Sequence, residues 1–289
     1  MSELHDEPLA GTASTVTRFL LLEEPGPWGQ EILTDSRLSS DVRRGLEEMS
    51  AAARVRVLFI RRHGRSSGDH PRCFAVDTHV SSRWVQTTTL QRPEEVLDLD
   101  LSGFGSADGV GLDPHHDPLF LVCTHGRRDT CCAERGRPLA RALSHAYPEQ
   151  TWECSHVGGD RFAGNLVILP DGLCYGRADA VTGPQIAGNH VNGKVELAHL
   201  RGRTGLSFAG QAAEWQLRSH LGVLTLDGVR PLRQVRRDDR TEVTFSAADG
   251  RRWEVVVKTT TAPEHYLTCA RVRKHAAPRF TLLSIKPVR

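Results

Sequence analysis

No run of 18 apolar residues occurs in the 289-residue sequence, so no segment is expected to cross a membrane as a helix. The amino-terminal MSELHDEPLAGTAST has no basic stretch followed by an apolar core, which argues against a secretory leader. Neither sign of charge is in excess. The 37 Lys and Arg face 35 Asp and Glu, a net of +2, which leaves no broad field for a nucleic-acid backbone. The Arg-rich RQVRRDDR (233–240) contains its own acids, and neither nucleic acid nor membrane is expected as a partner. Cys-x-x-Cys is absent, which excludes a thioredoxin-type redox pair. The Gly-rich stretch 103–111 lacks a strand-to-helix context, so no nicotinamide or flavin fingerprint is present. Aromatic residues are scarce at 6%, but 39% hydrophobic and 25% charged residues describe an ordinary globular chain, long enough for one large or two modest cores.

Against these absences stands one dense stretch, Cys123 to Asn165, which holds four of the seven cysteines. An odd cysteine count at unequal spacing, without a leader, points to a reducing compartment, the cytoplasm, with thiols as ligands or nucleophiles rather than bridges. The apolar run PLFLV reads as a strand that delivers Cys123 to a loop. Helix signals from Asp129 or Thr130 place Cys131 and Cys132 near a helix amino terminus, where the dipole favours a thiolate. Pro138 is expected to kink or restart that helix. TWEC (151–154) reads as a strand, SHVGGDRFAG (155–164) as a loop, and NLVILPDGLCYGRA (165–178) as a hairpin turning at 170–172. Gly158 and Gly159, between His156 and Asp160, let backbone approach a bulky group. Soft ligands at short spacing suggest an iron–sulfur cluster or a zinc ion. The alternatives are no metal, or a Cys132–His156 nucleophile pair.

The remaining segments frame that stretch. A strand in 16–29, a helix over 41–53 opened by Asp41 and a strand over 54–62 form a parallel crossover unit. A hairpin (73–79 with 83–90) and a short helix (93–101) follow, then a Gly- and Asp-rich loop (102–117) that marks a boundary and leaves His115 and His116 solvated. Helices are expected over 188–200 and 209–221, with Trp215 in the core, and short strands beyond. Cys73 and Cys174 read as core residues, and so does Trp152. No internal repeat is legible. The expected fold is α/β: a smaller α/β unit (1–112), a thioredoxin-like domain (113–222) and a β-rich C-terminal subdomain (223–289).

Cys123, the Arg128-Asp129 pair, Cys132 and HVGGDRFAGN (156–165) together resemble the sucrase/ferredoxin-like family, whose pattern is Cys-x8-Cys followed by His-x-Gly-Gly-His. The resemblance covers most of residues 9–222. It implies a thioredoxin-like ferredoxin domain carrying one 2Fe-2S cluster on two cysteines and two histidines. The implied activity is electron exchange with a redox partner protein rather than conversion of an organic substrate. Carried over residue by residue, it implies Cys123, Cys132 and His156 as ligands, with Gly158 and Gly159 beside the cluster. This sequence departs from the pattern at one place, where Asp160 stands for the second histidine. The fourth ligand is then Asp160, Cys154 or Cys131; otherwise the cluster is lost and a thioredoxin-fold interaction module remains, or a structural zinc site takes its place. Arg128, Arg161 and Asn165 are candidates for hydrogen bonds behind the ligands. No carboxylate pair suited to glycoside hydrolysis is placed, so the word sucrase finds no support.

Overall fold

The computed structural model describes residues 7–64, 70–268 and 273–288. The apolar runs become strands buried on both faces, as expected for strands covered on either side. In chain order the first half contains β1 (Arg18–Glu23), α1 (Ile32–Asp35), α2 (Ser40–Ala53), β2 (Arg56–Arg61), β3 (Arg72–Asp77), β4 (Trp84–Thr89) and β5 (Asp113–Pro114). The second half contains β6 (Leu119–Cys123), α3 (Thr130–Ala146), β7 (Thr151–Cys154), β8 (Leu166–Leu169), β9 (Leu173–Tyr175), α4 (Thr182–Val191) and β10 (Leu200–Arg203). The chain continues through α5 (Phe208–Leu221), β11 (Val229–Arg237), β12 (Arg240–Ala247), β13 (Arg252–Thr261), β14 (His265–Tyr266), β15 (Lys274–His275) and β16 (Pro278–Val288).

The first ten strands form one sheet in the order β10-β9-β8-β6-β7-β2-β1-β3-β4-β5. That order is a palindrome. In each half the first strand lies parallel to the second and antiparallel to the third, with two further antiparallel strands outward. The halves meet where Ile60 pairs with Cys154 and Arg61 with Glu153, antiparallel. A repeat absent from the sequence is therefore present in the topology. The helices α2 and α3 cover one face through Val42 and Leu46 and through Leu139 and Leu143. The opposite face is a core common to both halves, where Phe19, Leu58 and Ile60 join Leu121, Trp152, Cys123 and Cys154.

Three local expectations are corrected. The helix foreseen over 188–200 stops at Val191, because Asn192 caps it and Gly193 turns left-handed (φ +71°), after which the chain crosses to β10. Pro138 does not restart α3, which runs unbroken through it; Pro138 and Glu134, whose carbonyl loses its partner, are both exposed to water. The cap of α2 is Ser39, whose Oγ accepts from Val42 N, rather than Asp41.

Of the remaining strands, β14 and β15 pair with each other, and β11, β12, β13 and β16 form a second, antiparallel sheet against α5, with Ala213 and Leu217 packed on Val243, Phe245 and Val255. A buried ion network ties this unit on. Arg218, fully buried, bonds Glu214 at 2.9 Å and donates to the carbonyls of Thr225 (2.8 Å) and Leu226 (2.9 Å), while Arg203 lies 3.6 Å from Glu214. Arg218→Ala leaves Glu214 buried with a weaker partner and should cost about 3–5 kcal/mol, measured by urea unfolding.

A second tie is Asp171 in the β8–β9 turn, which meets Arg83 from the first half, His190 of α4 at 2.9 Å and, through its carbonyl, Arg203 at 2.9 Å. Burial disfavours its charge, but the His190 hydrogen bond and the Arg83 and Arg203 guanidiniums more than offset this and hold its carboxyl below the ordinary carboxylate value. A depressed folded pKa stabilises the fold above the unfolded value and is lost as pH falls through the folded one. Asp171→Asn should therefore lower stability at neutral pH, and the gap from the parent should close in acid unfolding below about pH 4.

Candidate metal centre

Each donor is delivered by a different element. β6 ends on Cys123, α3 presents Cys132 in its first turn, and the loop after β7 presents His156. Asp129 caps α3 by accepting from Cys131 N at 2.9 Å, which sets the first turn. The helix can lie close to the strand because position 136 is glycine: a Cβ there would overlap the carbonyl of Cys123. The result is a group in which Cys123 Sγ, Cys132 Sγ and a His156 ring nitrogen all lie within 4.8 Å of one another. Cys132 Sγ is 3.8 Å from His156 Nδ1, and on the other side of the ring Nε2 is 3.7 Å from Asp160 Oδ1.

The two sulfurs are electrostatically unequal. Hydrogen bonding to Cys132, reinforced by His156, draws the Cys123 thiol well below its ordinary value against the penalty of burial. The same bond, together with burial and the charge on Cys123, pushes Cys132 up. The hydrogen bond between the two sulfurs thus favours the thiolate at Cys123 and the thiol at Cys132.

The His156 loop is held by two guanidiniums, Arg201 buried and Arg56 half-buried. Arg201 donates to Gly158 O (3.2 Å), Asn165 Oδ1 (2.7 Å), Thr12 Oγ1 (3.2 Å) and Thr12 O, none of them a carboxylate. Burial lowers its pKa to about 10, so it stays cationic at neutral pH. Arg56 donates to His156 O at 2.7 Å and Val157 O at 3.4 Å, and burial lowers it against the pull of Cys154 and Cys123. Asn165 Nδ2 closes the loop onto Gly159 O at 2.9 Å. His125 accepts the His156 amide at Nδ1 (3.2 Å) and gives Nε2 to Gly29 O (2.8 Å), so both its nitrogens are spent on backbone.

Of the residues singled out in the sequence, Cys123, Cys132 and His156 converge and Asp160 stands beside His156. Asp160 Oδ2 is buried without a hydrogen-bond partner. Cys154 pairs with Cys123 across the two strands but lies outside the converging group, a free and buried thiol whose pKa burial raises. Cys131 is disulfide-bonded, which corrects the expectation of thiols without bridges and removes it as a free donor. Gly158 (φ +85°) and Gly159 (φ +75°) are both left-handed, and the space beside Gly159 belongs to Arg201. Asn165 reaches the loop, whereas Arg161 bonds Glu7 (2.7 Å) and Arg128 pairs with Glu31. Cys73 and Cys174 are buried free thiols, and His115 packs edge-on against Phe74. The Arg56 and Arg201 contacts span from 36 to 189 residues of chain, and no local pattern announces them.

The profile of the sucrase/ferredoxin-like family matches residues 9–202. Two curated fungal proteins, each called altered inheritance of mitochondria protein 32, are similar over shorter stretches. The one from Meyerozyma guilliermondii is 35% identical over 71 residues, covering 21% of this chain and 25% of its own length. The one from Kluyveromyces lactis is 39% identical over 56 residues, covering 19% and 17%. The matched stretch thus spans a quarter or less of either relative. No solved structure matches. No helix among the described residues is long and apolar enough to cross a membrane.

The two glycines should separate by their surroundings. Gly158→Ala meets open space and carries only the left-handed penalty, roughly 1–2 kcal/mol. Gly159→Ala also displaces Arg201 and should cost at least about 2 kcal/mol more, read from urea midpoints of the two variants.

Proposed function

Because the chain belongs to the sucrase/ferredoxin-like family, we propose that it is an electron-transfer protein holding one 2Fe-2S cluster on Cys123, Cys132, His156 and Asp160. The observation that carries this reading is the convergence of two thiols and an imidazole within 4.8 Å. A cluster needs four donors, normally thiolates, and tolerates imidazole in their place at the cost of a higher reduction potential. Asp160 lies across the His156 ring from the sulfurs and would have to turn inward to be the fourth donor; its buried Oδ2, without a partner at a cost of about 1–3 kcal/mol, is the atom free to do so. Carboxylate is a hard ligand for iron in this setting, which makes position 160 the point of greatest chemical interest.

When bound, the cluster supplies one-electron chemistry. The chain's own residues do the rest. Trp152, Val157 and Phe74 keep water from the sulfur side, and Arg56 and Arg201 offset the negative charge of the donors. The strand order β9-β8-β6-β7, with α3 crossing between the parallel β6 and β7, supports a thioredoxin-like ferredoxin frame. His156, 21% exposed in its side chain, borders an open cleft that also touches Glu31, Arg56 and Arg128, and a redox partner protein would approach there. Transfer is outer-sphere, with no organic substrate converted; the cytoplasm expected from unbridged thiols loses that ground with the Cys131 disulfide.

A second reading is a structural zinc ion. Its support is the compactness of the three donors: with bonds of about 2.3 Å to sulfur and about 2.0–2.1 Å to nitrogen, donors around one tetrahedral ion stand roughly 3.5–3.8 Å apart, close to the 3.8 Å between Cys132 and His156.

Anaerobic purification followed by metal and sulfide analysis separates the readings. The cluster predicts coloured protein, iron and labile sulfide in equal amounts, and a potential above the roughly −400 mV of plant-type ferredoxins. Cys123→Ser, Cys132→Ser and His156→Ala should each abolish loading, Asp160→Ala should weaken it, and Asp160→His should retain it. One zinc per chain in colourless protein would replace the proposal with the zinc reading. Colourless protein free of metal would leave a cluster-free interaction module.

A further inference from the structure

We propose that the outer face of the C-terminal sheet docks on the surface of an anionic phospholipid bilayer. The near-neutral total charge conceals a division. Residues 223–289 hold 14 Lys and Arg against 7 Asp and Glu, while the preceding 222 residues hold 23 against 28. A basic unit is attached to an acidic body.

The strand register locates that charge. Val243, Phe245, Val255 and Val257 face α5. Their alternating neighbours therefore face away: Arg233 and Arg237 on β11, Arg240 on β12, Arg252 and Lys258 on β13 and Lys286 on β16, against Glu242 and Glu254, the latter 2.8 Å from Lys286. Arg237, Arg240 and Lys258 form a cross-strand row, each directly opposite the next. Like charges so placed destabilise a sheet. Asp239, 3.3 Å from Lys258 and 4.0 Å from Arg240, and Glu242, 3.7 Å from Arg237, offset part of that repulsion at exposed positions. An arrangement kept against its own repulsion points to an anionic occupant.

The edges of the sheet select which anion. Both edge strands carry a bulge, between Pro231 and Arg233 on β11 and between Leu282 and Ser284 on β16. The extra residue is a leucine in each: Leu232 is 53% exposed and Leu283 is 44% exposed. Cations between two exposed leucines suit a bilayer interface, where phosphates take the charges and the headgroup boundary takes the apolar side chains. Nucleic acid shares the phosphate chemistry but fits less well. The aromatic residues of this sheet, Phe245, Trp253 and Phe280, belong to the core under α5, so no ring is offered for base stacking. No membrane partner is expected from the sequence; this surface is the ground for proposing one. The inference is independent of the metal centre.

The test is co-sedimentation of the full chain with vesicles of phosphatidylcholine alone and of equal phosphatidylcholine and phosphatidylserine. Binding is expected to the mixed vesicles only and to fall as salt rises. The double variant Arg237→Glu, Arg240→Glu should weaken it about tenfold or more, as should the pair Leu232→Asp, Leu283→Asp. Arg141→Glu, the same kind of charge change on the exposed face of α3, should leave it unchanged, with circular dichroism and thermal midpoints establishing that every variant is folded. Equal binding to neutral vesicles, no binding to either, or indifference to the Arg237 and Arg240 reversals would overturn the proposal. Tighter binding to duplex DNA that ignores the leucine variants would overturn it in favour of nucleic acid.

Discussion

Two residue pairs, Ile60 with Cys154 and Arg61 with Glu153, join the halves of the ten-stranded sheet, and the arrangement of the site follows from them. Glu153 is buried at this junction. It accepts from Arg61 Nε at 2.9 Å and Thr124 Oγ1 at 2.8 Å and lies 2.6 Å from His63 Nδ1. Burial alone would raise its pKa, but His63, Arg61 and Thr124 more than reverse that, so a charged carboxylate sits where the two parallel pairs end. Thr124 follows Cys123 and Glu153 precedes Cys154, so one side chain fixes the ends of both sulfur-bearing strands. Because β2 and β7 run antiparallel, the loop after β1 returns over the loop after β6. Gly29 receives His125, Glu31 pairs with Arg128, and Trp28 meets the edge of the His125 ring at 5.6 Å. The first half carries Glu23 and Glu24 where the second carries Cys123 and Thr124, and it acts as a support for the other's chemistry.

The His156 loop is ordered by cations and not by apolar contact alone. Removing a guanidinium from water costs several kcal/mol, and each hydrogen bond it makes returns about 1.5–3. Arg201 has four neutral acceptors, which brings it near balance without any anion of its own. Asp160 and Cys123 both favour its charge, so the loop and the donor set stabilise each other. This coupling explains why the second glycine of the pair is required by a side chain 42 positions away in the sequence rather than only by whatever binds at the site.

What was legible in the sequence is what is encoded locally. The run PLFLV, the cap at Asp129 and the turn at 170–172 are patterns of neighbouring residues, and so the order of residues alone reveals the strand, helix and hairpin that present Cys123 and Cys132. The family pattern singled out His156, and the fold brings it to Cys123 and Cys132. Long-range partners leave no such local trace: Arg56 meets His156 across a hundred residues, and Gly136 meets Cys123 only once helix and strand are docked. The palindrome also stayed hidden, because equal topology demands equal alternation of apolar positions and no shared identities. The misread helix at 188–200 shows the opposite failure, since NHVNGKVELAHL has helical spacing on both sides of Gly193 and only the left-handed turn there reveals the stop.

The charge on the donors gives Asp160 a physical context. On the proposed reading, Cys123 and Cys132 as thiolates together with Asp160 would bring three negative charges to one site, where a histidine at 160 would leave two. Such a set is tolerable in a buried position only with nearby cations, and Arg201 and Arg56 lie against the same loop, neither paired to a carboxylate by direct contact among the described residues. Asp160 also lies 3.7 Å from the far nitrogen of His156, the position from which a carboxylate orients an imidazole ligand and raises its basicity. An acid at 160 can therefore act through either oxygen, with Oδ1 toward His156 and Oδ2 buried and available. Asp160 is among the groups that favour the Arg201 charge, so the fold already carries a buried cation for an acid at this position.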